Sequence, residues 1–135
     1  MIRNCLLQIA LFLAIVFGIA NHSAYAADTM IEMSISGDAG QIFAGDCYLL
    51  TKTGLQKRHR IKGEAPTKIW LPAKAVRCNL QKSSAKGLLI VSLVKDGLAE
   101  VTQKSRYPFR WIVVSSSGPW GRASGGAFAA RPSFQ

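Results

Sequence analysis

Hydrophobic and polar positions divide the chain into short alternating runs. The clearest lies at residues 87–101, Gly-Leu-Leu-Ile-Val-Ser-Leu-Val-Lys-Asp-Gly-Leu-Ala-Glu-Val. An apolar run enters Asp96-Gly97 and an alternating run leaves it. Asp-Gly between two such runs predicts a type I′ hairpin, because that turn needs positive φ at both central residues. Leu89, Val91 and Leu93 share one face; Leu88, Ile90 and Val94 share the other. A strand apolar on both sides is expected to be central and buried on both.

Shorter runs surround it. Residues 29–36 place Ile31, Met33 and Ile35 opposite Met30, Glu32, Ser34 and Ser36, a strand with one dry face. After a turn at 37–40, residues 41–51 place Phe43, Gly45, Cys47 and Leu49 opposite Ile42, Ala44, Asp46, Tyr48 and Leu50. Gly45 inside this run predicts a bulge or a close backbone approach. Residues 55–62, Leu-Gln-Lys-Arg-His-Arg-Ile-Lys, carry charge on both faces, so this strand belongs at a sheet edge or partly outside the sheet. Residues 67–71 carry Trp70 and end at Pro72. Residues 75–82 turn Val76, Cys78 and Leu80 inward and Arg77, Asn79 and Gln81 outward. Residues 110–115 oppose Trp111 and Val113 to Ile112 and Val114. About eight strands and no amphipathic helix after residue 26 predict an all-β antiparallel sandwich of Ig-like architecture. The true immunoglobulin pattern is not met, since the two cysteines lie close together and Trp70 stands just before the second.

The two ends differ from this middle. Residues 1–26 combine a short basic start, an apolar run over residues 6–20 and Ala24-Tyr25-Ala26, the small-x-small pattern of signal peptidase. They read as a cleaved signal peptide. The run is shorter than the roughly 20 residues of a membrane span, so no transmembrane segment is expected after cleavage. The bacterial character of the site implies a periplasmic or secreted protein. The sandwich is expected over residues 27–115. Residues 116–135 mix Gly, Ser, Pro and Ala and read as a disordered tail. Its aromatics Trp120, Phe128 and Phe134 offer an alternative role in docking on a protein partner.

Composition sharpens this picture at two points. The 135 residues carry 17 Lys and Arg against 7 Asp and Glu, a net charge of +10, and only Arg3 of these charges falls in the leader. Of the three cysteines, Cys47 and Cys78 remain after cleavage. A pair in an oxidising compartment reads as a disulfide. Two distant cysteines and His59 make a poor metal set, and no metal or cofactor is expected.

Phe43-x-Gly45-x-Cys47, the turn at Pro66, Cys78 followed by Gln81-Lys82, Gly87-x-Leu89 and the Asp-Gly hairpin resemble small exported β-sandwich proteins of bacteria whose function is not established. That resemblance covers most of residues 27–115. It implies a fold and an address and transfers no active site.

Catalysis finds little support. A serine or cysteine triad would have to use His59, which stands among four basic residues with no carboxylate nearby in sequence to orient it. Neither G-x-S-x-G nor H-E-x-x-H occurs. The protein therefore reads as non-catalytic. The stronger signal is the basic run Lys57, Arg58, Arg60 and Lys62. Clustered cations on a basic exported domain attract polyanions by long-range field and counterion release. The expected partner is an anionic envelope component or polysaccharide. Nucleic acid is disfavoured, because an exported protein seldom meets it and no aromatic-interleaved motif is present. The bland account is that these charges protect a sheet edge from aggregation and keep the protein soluble. The alternative function is a protein-binding accessory or inhibitor subunit of the envelope.

Overall fold

Alternation becomes layer here. The computed structural model describes residues 29–133 as nine antiparallel strands in two sheets. They are β1 (Met30–Gly37), β2 (Ile42–Leu50), β3 (Gln56–Glu64), β4 (Thr67–Pro72), β5 (Ala75–Lys82), β6 (Leu89–Lys95), β7 (Leu98–Ser105), β8 (Trp111–Ser115) and β9 (Ser124–Phe128). One sheet has the order β4-β1-β6-β7, the other β3-β2-β5-β8-β9. The predicted leader, residues 1–26, lies outside the described residues. No helix of the described residues is long and apolar enough to cross a membrane.

The core is the set of residues whose parity points them between the sheets. Ile31, Met33, Ile35, Leu89, Val91 and Leu93 come from the four-stranded sheet, and Phe43, Val76, Leu80, Ile112 and Val114 from the five-stranded one. Each fully buried side chain of this size contributes roughly 1.5–3 kcal/mol. Cys47 and Cys78 stand directly opposite each other on β2 and β5 with Cα atoms 4.1 Å apart, and they form a disulfide. The bridge joins neighbouring strands of one sheet and does not cross between sheets. Gly45 marks a close approach of these two strands, with no shift of register. A Cβ there would lie 2.0 Å from the Asn79 carbonyl oxygen and 2.8 Å from Leu80 Cα. Gly45→Ala must push β2 from β5, and a loss of about 1–3 kcal/mol in chemical denaturation is expected.

The hairpin at residues 95–98 forms as its sequence predicts, with φ of 51° at Asp96 and 75° at Gly97. β6 departs from expectation on its second face. Leu89, Val91 and Leu93 are buried, but Ile90, Ser92 and Val94 are half-buried. β6 is indeed flanked on both sides, by β1 and β7. However, only one face meets another layer, so the apolar residues opposite it stay partly wet. Edge placement of β3 is correct.

The expected disordered tail is corrected. Residues 124–128 form β9, the second edge of the five-stranded sheet, paired with β8 from Trp111↔Phe128 to Ser115↔Ser124. Gly125 has a packing reason. A Cβ on Gly125 would meet Gln103 Oε1 at 2.9 Å and Val101 Cγ2 at 3.2 Å, so a bare backbone lets β9 close against β7. The connection from β8 is held by Glu100, whose carboxylate accepts from the Ser117 N–H at 2.7 Å and the Ser117 hydroxyl at 2.6 Å. Lys95 donates to the Ser117 carbonyl at 3.1 Å. Burial alone would raise the Glu100 pKa, but the two Ser117 hydrogen bonds and the Lys95 charge outweigh it and hold the carboxyl below its usual range.

Candidate functional site: the outer face of the five-stranded sheet

Register decides which of the predicted basic residues act together. β3 pairs with β2 so that Arg58 stands opposite Tyr48, Arg60 opposite Asp46 and Lys62 opposite Ala44. These three cations share the outer face with Tyr48, Asp46 and Ala44. Lys57 stands opposite Leu49, and His59 opposite Cys47, so both belong to the other face. They are exposed; on that face of β3 only Ile61 is buried. The predicted group of four therefore splits into Arg58, Arg60 and Lys62 on one side and Lys57 on the other.

Asp46 is the carboxylate at the middle of the cationic face, and Glu64 shares that face at the end of β3. Arg58 grips Asp46 with both ends of its fork, Nε to Oδ1 at 3.1 Å and Nη2 to Oδ2 at 3.0 Å. These bonds lower the Asp46 pKa against the opposing effect of burial, and the charges of Arg58, Arg60 and Arg131 add to the lowering. The Asp46 side chain is 13 % exposed and that of Arg58 58 % exposed, so this pair is a local anchor more than a source of stability. It also offsets the Arg58 charge and leaves Arg60 and Lys62 as the outward cations of β3 that do not grip Asp46.

Sequence reasoning missed the other half of the site. β5 contributes Asn79 opposite Asp46 and Gln81 opposite Ala44, and β8 adds Trp111 opposite Gln81. Residues 129–133, beyond β9, return across this face. Arg131 sits over the Trp111 ring, 5.9 Å from its centroid, a cation–π contact worth about 0.5–1 kcal/mol at an exposed site. The Pro132 carbonyl accepts from Asn79 Nδ2 at 3.4 Å. Between these groups lies a recess bounded by Asp46, Arg60, Asn79, Gln81, Trp111 and Arg131. It continues past Asn79 and Arg131 toward Tyr48 and Ser133.

Other candidates separate. Among the described residues no three His, Cys, Asp or Glu side chains come together as a metal site. Of the tail aromatics, Phe128 lies on β9 and is exposed, Trp120 is half-buried in the preceding turn, and Phe134 lies outside the described residues. No family model, curated protein or solved structure matches this chain significantly.

Proposed function

We propose that this is an exported, non-catalytic binding module that holds an anionic ligand on the outer face of its five-stranded sheet. Three cations of edge strand β3 and Arg131 gather on that face, with Asp46 at their middle and Glu64 at the end of β3 as the carboxylates beside them; this excess of positive charge carries the reading. The disulfide, the signal-like start and the strongly basic composition support an extracytoplasmic address. Anionic envelope components and acidic polysaccharides are the ligands that such a module would meet. Lys57 falls outside the proposed surface. The same cations on an edge strand also disfavour strand-to-strand aggregation, so one set of residues serves both ends.

The test is association of the processed protein with the envelope fraction of its producing cell across a salt series. Three or four ionic contacts should weaken binding roughly 20- to 50-fold between 50 and 200 mM salt, at the slope of a single-stranded polyanion. Arg60→Glu with Lys62→Glu should flatten that dependence and reduce binding at low salt. Lys57→Glu, on the opposite face, should change it least. Salt-resistant binding that survives Arg60→Glu/Lys62→Glu would overturn the reading and favour the protein-partner alternative, for which the exposed Trp70 and Met30 on the other sheet are the first residues to substitute.

A further inference from the structure

The recess beside Asp46 requires more of a ligand than negative charge. Asn79 is 5 % exposed, and its Oδ1 has no hydrogen-bond partner among the described residues, although its Nδ2 is engaged by Pro132. A buried acceptor left unmade costs about 1–3 kcal/mol, so a ligand that donates to it gains correspondingly. Around this acceptor stand groups that can only donate to an anion, the guanidiniums of Arg60 and Arg131. The Gln81 amide can both donate and accept, and the Trp111 indole supplies an aromatic wall. The complementary molecule carries an anionic group, at least one hydroxyl or N–H donor close to it, and an apolar surface to lie near an indole.

A polyphosphate chain fails the second requirement. The ionised oxygens of its internal units accept hydrogen bonds but offer no donor to Asn79. A carboxylated sugar meets all three. Its carboxylate suits paired guanidiniums, its ring hydroxyls donate, and the C–H face of its ring is apolar. We propose that this recess binds an acidic sugar residue of an anionic polysaccharide, with the carboxylate toward Arg60 and Arg131 and a ring hydroxyl donating to Asn79 Oδ1. This inference rests on the anionic-ligand reading above and specifies its ligand class. Arg131 then has two duties, contact with the ligand and closure of the recess against Trp111. That makes the last residues of the described chain part of the binding surface.

Calorimetric titration of the processed protein separates the possibilities. The probes are an oligogalacturonate, a polyphosphate of matched charge number, and the fully methyl-esterified oligogalacturonate, which keeps its hydroxyls and loses its charge. Oligogalacturonate should bind about tenfold or more tightly than polyphosphate, a difference of about 1.4 kcal/mol. The ester should not bind measurably. Arg60→Gln should weaken both polyanions. Asn79→Leu, which removes the buried acceptor at similar volume and also the bond to Pro132, should cost oligogalacturonate more affinity than polyphosphate and bring the two to the same level. Equal affinity of the wild-type protein for both polyanions would overturn the sugar inference and leave the anionic-ligand reading standing. Binding of neither polyanion would overturn both. Binding of the ester as tightly as the acid would also overturn it, since charge would then play no part. If Asn79→Leu fails to fold, the wild-type comparison of acid, ester and polyphosphate still decides.

Discussion

Replacing Cys47 and Cys78 together by alanine is expected to lower the stability of the protein by about 3–4 kcal/mol, the chain-entropy value for the loop they close. The two residues are 31 apart in sequence and directly opposed across β2 and β5. Without the bond, the unfolded chain regains the freedom of the segment that contains β3, β4 and the start of β5. The folded state also loses sulfur atoms that are fully buried in the core, which adds a cavity cost of the same sign. For a chain of this size, whose net stability lies within about 5–15 kcal/mol, that loss is a large fraction. Equilibrium denaturation of the two proteins measures it. A midpoint unchanged by the double substitution would refute the estimate, and so would two thiols reactive in the unreduced, denatured wild type.

The disulfide also shows what a sequence conveys and what it withholds. Pairing of the two cysteines followed from their number and from the oxidising compartment that the signal-like start led one to expect. Their placement on adjacent strands of one sheet did not, because strand order is a property of long-range contacts. The same distinction runs through the site. Strand parity alone put Arg77, Asn79 and Gln81 on the outward side of β5 and Trp111 on the opposite side from Ile112. It could not bring Asn79 beside Asp46, or Trp111 beside Gln81, without knowing that β5 lies between β2 and β8. Parity would have removed Lys57 from the basic group, since it alternates with Arg58 and faces the same way as His59 and Ile61. β9 was hidden for a different reason. Its segment, Ser-Gly-Gly-Ala-Phe, has little strand propensity of its own. It forms by pairing with β8, and Gly125, which like any glycine weakens a strand in isolation, admits the close contact with β7. Tertiary packing here overrides local preference, and Arg131 reaches Trp111 only because β9 returns the chain to this face.

Lys82 is the residue at which the charge pattern misleads most, and Lys82→Met carries the second large expected effect. It ends β5 on the inward side, in register with Val76, Cys78 and Leu80, and is 1 % exposed. Its ammonium donates to the carbonyl oxygens of Ala85 at 3.0 Å and Ser105 at 3.2 Å, and also to that of Gly87. One cation thereby ties the 83–88 loop to the end of β7. Methionine fills a similar space and removes the cost of burying charge, but it leaves three backbone acceptors that cannot themselves be replaced. Taking about 1–3 kcal/mol for a buried unpaired acceptor, and allowing the loop carbonyls to turn toward water, a net loss of about 2–3 kcal/mol is expected. The pH dependence has a definite sign. Burial lowers the Lys82 pKa in the folded protein, and Asp38 opposes that only in part. Between this lowered value and the ordinary 10.5, the unfolded state binds more protons than the folded one. Folding stability therefore rises with pH across that window. Below it, the ammonium is charged in both states and its burial cost is present in full. Denaturation of wild type and Lys82→Met from neutral pH to above 10.5 should show the wild type gaining on the variant as pH rises. A constant difference would mean that the ammonium titrates alike in the folded and unfolded states, and a variant as stable as wild type at neutral pH would mean that the three carbonyls find other donors without cost.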